Sequence, residues 1–166
     1  LQQVRAADIL VIGARSETLV DPNAAPDPRD LVMQAGRPLI VVPSAVQWLD
    51  LRSVLIAWKD VREARRAVFD ALPILAAAKE VTIAEVPEQD GRRADALSHV
   101  ADVAAWLHGH GIAANTVVPE KAGGVTEQIE KIAAHVGAGA VIAGAYGHSR
   151  FREWVLSGVT RYLATD

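Results

Sequence analysis

From residue 54 onward, short apolar runs alternate with longer stripes of apolar residues spaced three and four apart. No other feature of the sequence limits the available folds so strongly. The runs at 54–58, 81–86, 112–118 and 139–144 have the length of strands. Between them lie helical stripes: Ala64, Ala67, Val68, Ala71, Leu72 and Leu75; then Leu97, Val100, Ala104 and Leu107; then Val125, Ile129, Ile132 and Val136. Strands joined by single helices predict a parallel sheet covered by helices, because each parallel crossover requires one. Pro73 predicts a kink or restart within the first helix. Asp60, with Glu63 three residues on, predicts a capping box at its start. A last helix is expected over 151–164, with Ser149 as its cap. Ligands of such sheets bind at the carboxyl ends of the strands, which directs attention to 57–60, 86–88 and 144–149.

The first fifty residues follow the same grammar less completely. Residues 8–13 and 38–43 have the apolar continuity of strands buried on both faces. Between them, residues 21–28 hold three prolines and form a loop, and a short helix over 30–35 stops at Gly36. Residues 44–52 have the character of a linker. The stretch 7–15 echoes 138–146, each a strand ending in Gly-Ala. By the logic of this repeat, the second copy lacks a closing strand and the first lacks what should precede it. The chain is therefore expected to be a piece of a longer product.

Composition removes several classes. With 51% hydrophobic and 22% charged residues among 166, the chain has material for a core and no signature of disorder. It has no cysteine, so disulfides, thiolate zinc sites and cysteine nucleophiles are excluded, and a cytoplasmic location is expected. A net charge of −3 argues against nucleic acid as a partner. No apolar run approaches the length of a membrane helix, so no membrane partner is expected.

The strongest local motif leaves the strand at 139–144. Gly144 and Gly147 are followed, after nine residues, by Ser157-Gly158-Val159-Thr160. Glycines let backbone approach a ligand, and amides at a helix start favour an anion. The same spacing also suits a tight strand-to-helix turn with close helix packing, and spacing alone leaves both readings open.

This segment resembles the nucleotide-binding motif of the universal stress protein family, Gly-x2-Gly-x9-Gly-(Ser/Thr), and the resemblance runs over nearly all of residues 52–166. Residues 6–43 resemble the last third of a second such domain. The resemblance implies a tandem arrangement, with 1–43 the end of a degenerate first domain, 44–51 a linker, and 52–166 the second domain. It implies an α/β fold: a parallel five-stranded sheet in the order 3-2-1-4-5, flanked by helices, with the closing strand of the second domain missing. It further implies a homodimer or intramolecular domain pair, a stress-related regulatory role, and ATP or AMP across the strand ends in members that bind it. Magnesium would enter only with the nucleotide.

Carried over by position, Gly144 and Gly147 match the first two motif glycines. Ser157 stands where the third glycine belongs, Gly158 where the serine or threonine belongs, and Val159 follows. Ala57 closes the first strand of the domain, Lys59 occupies the place of a nucleotide-contacting aspartate, and Val86 matches an adenine-contacting position. His148 and Arg150 adjoin the phosphate turn and are placed to donate to an anion. In the first copy only Gly13 survives, with Ser16 at the second glycine. Two functions follow: a nucleotide-binding regulatory module, or a stress protein acting through domain pairing and protein contacts without nucleotide; slow ATP hydrolysis is a distant third, since no base or metal carboxylate stands at the strand ends.

Other features carry blander readings. No Gly-x4-Gly-Lys-(Ser/Thr) is present, and no nucleophile elbow surrounds Ser149, so no catalytic residue is assigned. His99, His108 and His110 lie on or just after one helix, and His108 and His110 suit its carboxyl end better than a metal; no metal ligand is assigned. The cluster of Arg62, Arg65 and Arg66 is a solvated face offset by Glu63 and Asp70. Trp106 and Trp154 lie at core spacing, and Trp48 marks a domain or subunit contact.

Overall fold

The computed structural model describes residues 2–13, 28–89, 91–120 and 122–145. The described chain divides between Gln47 and Trp48 into two compact units. In the first, a 3-10 turn over Gln2–Ala6 precedes strand β1 (Leu10–Gly13), helix α1 (Pro28–Ala35) and strand β2 (Leu39–Val42). The two strands pair in parallel, Leu10 opposite Leu39 and Gly13 opposite Val42. Gly36 follows α1 with φ of 59°, the left-handed conformation that ends helices.

The second unit holds β3 (Ser53–Ala57), α2 (Arg62–Asp70), α3 (Leu72–Ala77), β4 (Glu80–Ala84), α4 (Arg93–Gly109), β5 (Asn115–Val117), α5 (Val125–His135) and β6 (Ala140–Ala143). Its sheet is parallel throughout, in the order β5-β4-β3-β6. This is the expected α/β architecture: numbered within the unit, the strands occupy the 3-2-1-4 places of the anticipated order. No described strand of this unit stands in the fifth place.

β3 is central because it is apolar on both faces: Val54 and Leu55 are 0% exposed and Ile56 1%. Val54, Ile56 and Trp58 face one side, where Val81 and Ile83 of β4 join Ala64, Val68, Ala71 and Leu75 of α2–α3 and Ala96, Val100, Val103 and Leu107 of α4. Strand alternation turns Leu55 to the opposite face. Pro73 restarts the helix, as anticipated: α2 ends at Asp70, Ala71 turns, and Pro73 sits in the first turn of α3 where its missing N–H does no harm.

Three local expectations are corrected. The N-cap of α2 is Val61 and makes no side-chain cap bond, so the capping box does not form. Asp60 is drawn instead to the guanidinium of Arg65, a charged partner stronger than a backbone amide. The buried face of α4 is Ala96, Val100, Val103 and Leu107, while Leu97 is 43% exposed. In a helix this rich in alanine, two faces offset by one residue have similar apolar content, and tertiary packing chooses between them. Trp106 falls outside the core for the same reason, 40% exposed, with its ring centroid 4.4 Å from that of His110 and the two planes tilted by 59°. The arginine cluster does pair as expected, Arg62 with Glu63 at 3.2 Å and Arg66 with Asp70 at 2.7 Å. Trp48 is 73% exposed.

Two glycines of this unit are fixed by close approach. A Cβ at Gly139 would lie 2.3 Å from the carbonyl oxygen of Asp50, and one at Gly144 would lie 2.7 Å from the amide nitrogen of Ala64.

Candidate functional site

The chain order reverses direction at β3: β4 and β5 are laid down on one side of it, and β6 on the other. The crevice at the carboxyl ends of the strands therefore opens beside β3. Register places Ala57 level with Ala84 and Ala143. The residues just beyond those positions, Lys59, Val86 and Gly144, consequently gather at one end of the sheet. The structure thus brings Ala57, Lys59, Val86 and Gly144 together. Gly147, His148, Arg150, Ser157, Gly158 and Val159 lie outside the described residues, as do Ser149, Trp154 and the helix anticipated over 151–164.

The ladder continues past the strands. The Trp58 amide donates to the Ala84 carbonyl at 2.7 Å and the Glu85 amide to that of Val117 at 3.2 Å. These bonds hold 58–60 and 85–88 side by side, and the Lys59 ammonium donates to Glu88 Oε1 at 2.6 Å. Lys59 is thus committed to a carboxylate of the neighbouring loop. Val86 is 6% exposed, so the residue expected to lie against adenine is covered. Gly144 is explained by packing, because the side on which its Cβ would stand is filled by the first turn of α2, at Glu63 and Ala64.

A second charged pair was not legible in the sequence. His99 Nδ1 on α4 lies 3.2 Å from both carboxylate oxygens of Glu85. Glu85 follows β4 directly and its side chain is 12% exposed. Nothing in the sequence flags this pair except that a charged residue immediately follows an apolar strand. Burial pushes the Glu85 carboxyl above its ordinary value of 4.5, the hydrogen bond and charge of His99 pull it back, and Asp60 adds a smaller upward push. A raised carboxyl value means that the folded protein holds this proton more tightly than the unfolded chain. Stability is therefore lost as pH rises through the folded-state value and recovered below the ordinary one. Glu85→Gln keeps an acceptor for His99 and removes the charge. Urea unfolding at two pH values is expected to show the variant more stable than the parent at pH about 7 and equal to it below about 4.

No family model matches this sequence, and no curated protein matches it. Solved structures do. A protein of the universal stress protein family from Burkholderia pseudomallei superposes with a TM-score of 0.56 at 20% identity, over 66% of this chain and 90% of that one. A universal stress protein from Archaeoglobus fulgidus DSM 4304 superposes with a TM-score of 0.58 at 17% identity, over 98% of this chain. The chain spans 58% of the length of that second structure. No helix among the described residues is long and apolar enough to cross a membrane. The parallel sheet order, the helices on its faces and these superpositions agree: the chain has the universal stress protein fold.

Proposed function

We propose that this chain is a non-catalytic, stress-related regulatory protein that works through domain pairing and protein contacts, without an adenine nucleotide at its strand ends. The observation that carries this reading is the Lys59–Glu88 ion pair, 2.6 Å across the mouth between β3 and β4. Where the family motif has an aspartate for the nucleotide, a lysine and a glutamate neutralise one another. Opening the mouth would separate these charges, and the gain from an exposed pair of this kind is modest, on the order of 1 kcal/mol or less. Covered Val86 and the packing-determined Gly144 support the same reading. The nucleotide-binding alternative rests on residues 144–159, of which 146–159 lie outside the described residues. An equilibrium titration with ATP and magnesium separates the two readings. No saturable binding below about 1 mM is expected, a level at which binding energy is only about 4 kcal/mol. Micromolar binding would overturn the proposal.

A further inference from the structure

The second unit holds a cavity of about 420 Å³ between α2 and α4, and its lining does not include Lys59, Val86 or Gly144 of the strand ends. Val68 and Phe69 on α2 form one wall, and Val103 and Trp106 on α4 the other. Phe69 and Trp106 are 57% and 40% exposed, so a ligand between the helices would take large apolar side chains out of water. The volume is that of a small-molecule site, and apolar walls with one or two placed polar groups are the usual makeup of one.

The polar group that selects the ligand is His99, which lines the same cavity from α4. Its Nδ1 lies 3.2 Å from both oxygens of Glu85, whose side chain is 12% exposed. Glu85 is itself fixed to the sheet, its amide donating to the Val117 carbonyl at 3.2 Å. An ionised carboxylate only accepts, so the proton of the neutral imidazole sits on Nδ1 and Nε2 is left as an acceptor. Among the described residues, the buried side-chain nitrogens and oxygens without a partner are Ser53 Oγ and Trp58 Nε1. Nε2 of His99 has no hydrogen-bond partner there and is not one of these buried atoms, so it is accessible. A carboxylate on the sheet and a long helix therefore orient this acceptor before any ligand arrives. The other polar groups of the lining discriminate less. Asp60 is engaged by Arg65, and Asp102 is exposed, where water screens its charge. With the carboxylates of Asp60, Asp102 and Glu85 nearby, an anion is disfavoured, and a neutral donor is the ligand group that costs least to desolvate.

We propose that the groove between α2 and α4 binds a small, neutral, planar aromatic molecule whose ring carries an N–H or O–H, with the ring between Phe69 and Trp106 and the donor on His99 Nε2. Glu85 acts through His99 as a positioning residue. This goes beyond the reading of the strand ends and does not depend on it.

Calorimetric titration of the whole chain with indole, whose N–H is its one polar group, tests the proposal against benzofuran, in which an oxygen replaces that N–H. At pH about 8, indole is expected to bind saturably below about 1 mM, and benzofuran more weakly by about fivefold or more. The double variant Glu85→Leu with His99→Phe removes both partners of the pair, which disturbs a fold less than stranding one of them, and is expected to erase the preference. Trp106→Ala, at a partly exposed position, is expected to weaken both ligands by about threefold or more. Equal binding of the two ligands by the parent, a preference that survives the double variant, affinities unchanged in Trp106→Ala, or no saturable binding of indole would each overturn the proposal. The ratio in the parent decides even where the double variant fails to fold. ATP binding at the strand ends is read in a separate titration, so failure of one proposal leaves the other standing.

Discussion

Leu107→Ala is expected to cost the second unit about 3 kcal/mol of stability, whereas Leu97→Ala, ten residues earlier on the same helix, should cost less than about 1. Both are leucines of α4, and the apolar stripe visible in the sequence includes both. In the structure Leu107 is 0% exposed and joins Val54, Ile56 and Ile83 in the central cluster, while Leu97 is 43% exposed. Truncating Leu107 removes buried apolar atoms and leaves a space that the surrounding β-strands close only in part, which places the cost within the large-to-small range. Truncating Leu97 returns little surface to water that was not already there. Urea unfolding of the two variants measures the difference directly. Equal costs would mean that α4 is rotated about its axis by about one residue, turning Leu97 toward the sheet.

Gly139→Ala should be nearly as damaging, by about 2–3 kcal/mol, because the added methyl meets backbone that has no freedom to move. Its Cβ would lie 2.3 Å from the Asp50 carbonyl oxygen and 2.6 Å from the Asp50 Cβ. The segment it strikes is pinned on both sides. The Leu51 and Arg52 carbonyls accept from the amides of Lys79 at 3.0 Å and Glu80 at 3.1 Å, and the Gly139 amide itself donates to Ser53 at 2.9 Å. Asp50 is fastened further by Arg52, whose backbone amide donates at 2.9 Å and whose guanidinium Nη2 donates at 2.6 Å. These bonds, the side-chain one first, hold the Asp50 carboxyl down to about 2. An alanine at 139 must therefore displace β3 from β6 at their amino ends. A variant as stable as the parent by thermal unfolding would show that this approach is looser than the geometry gives.

Periodicity carried most of the fold. The apolar run 54–58 becomes a strand buried on both faces, and helical stripes such as Ala64, Val68, Ala71 and Leu75 become the face that covers it. In the run 8–13, expected to be buried likewise, Val11 is instead 62% exposed. What periodicity does not resolve is a choice between near-equal alternatives. α4 offers two apolar stripes one residue apart, and only contact with β3 and β4 selects Ala96, Val100, Val103 and Leu107. Asp60 satisfies every local rule for a helix cap, yet the sequence does not reveal that Arg65 would stand close enough to claim it. The candidate site was legible where it depends on strand ends: Ala57, Lys59, Val86 and Gly144 meet because their strands are in register. The partners of those residues were not, because Glu88 lies 29 residues from Lys59 and Glu85 lies 14 from His99. Such pairs exist only once β4 is placed against β3 and α4 is laid across them. The role of Gly144 shows the same limit: spacing allows a glycine to serve a ligand or a packing contact, and the backbone of α2 accounts for it as packing.

The most direct test of the proposal that the strand ends, with Lys59 paired to Glu88, hold no nucleotide is a calorimetric titration of the parent chain and Lys59→Asp, side by side, with ATP and magnesium. The parent is expected to show no saturable binding below about 1 mM, and the variant, which breaks the ion pair and sets an aspartate at the family's position, is expected to bind more tightly than the parent. Micromolar binding by the parent would contradict that proposal, and binding that Lys59→Asp weakens would make Lys59 a ligand of the nucleotide.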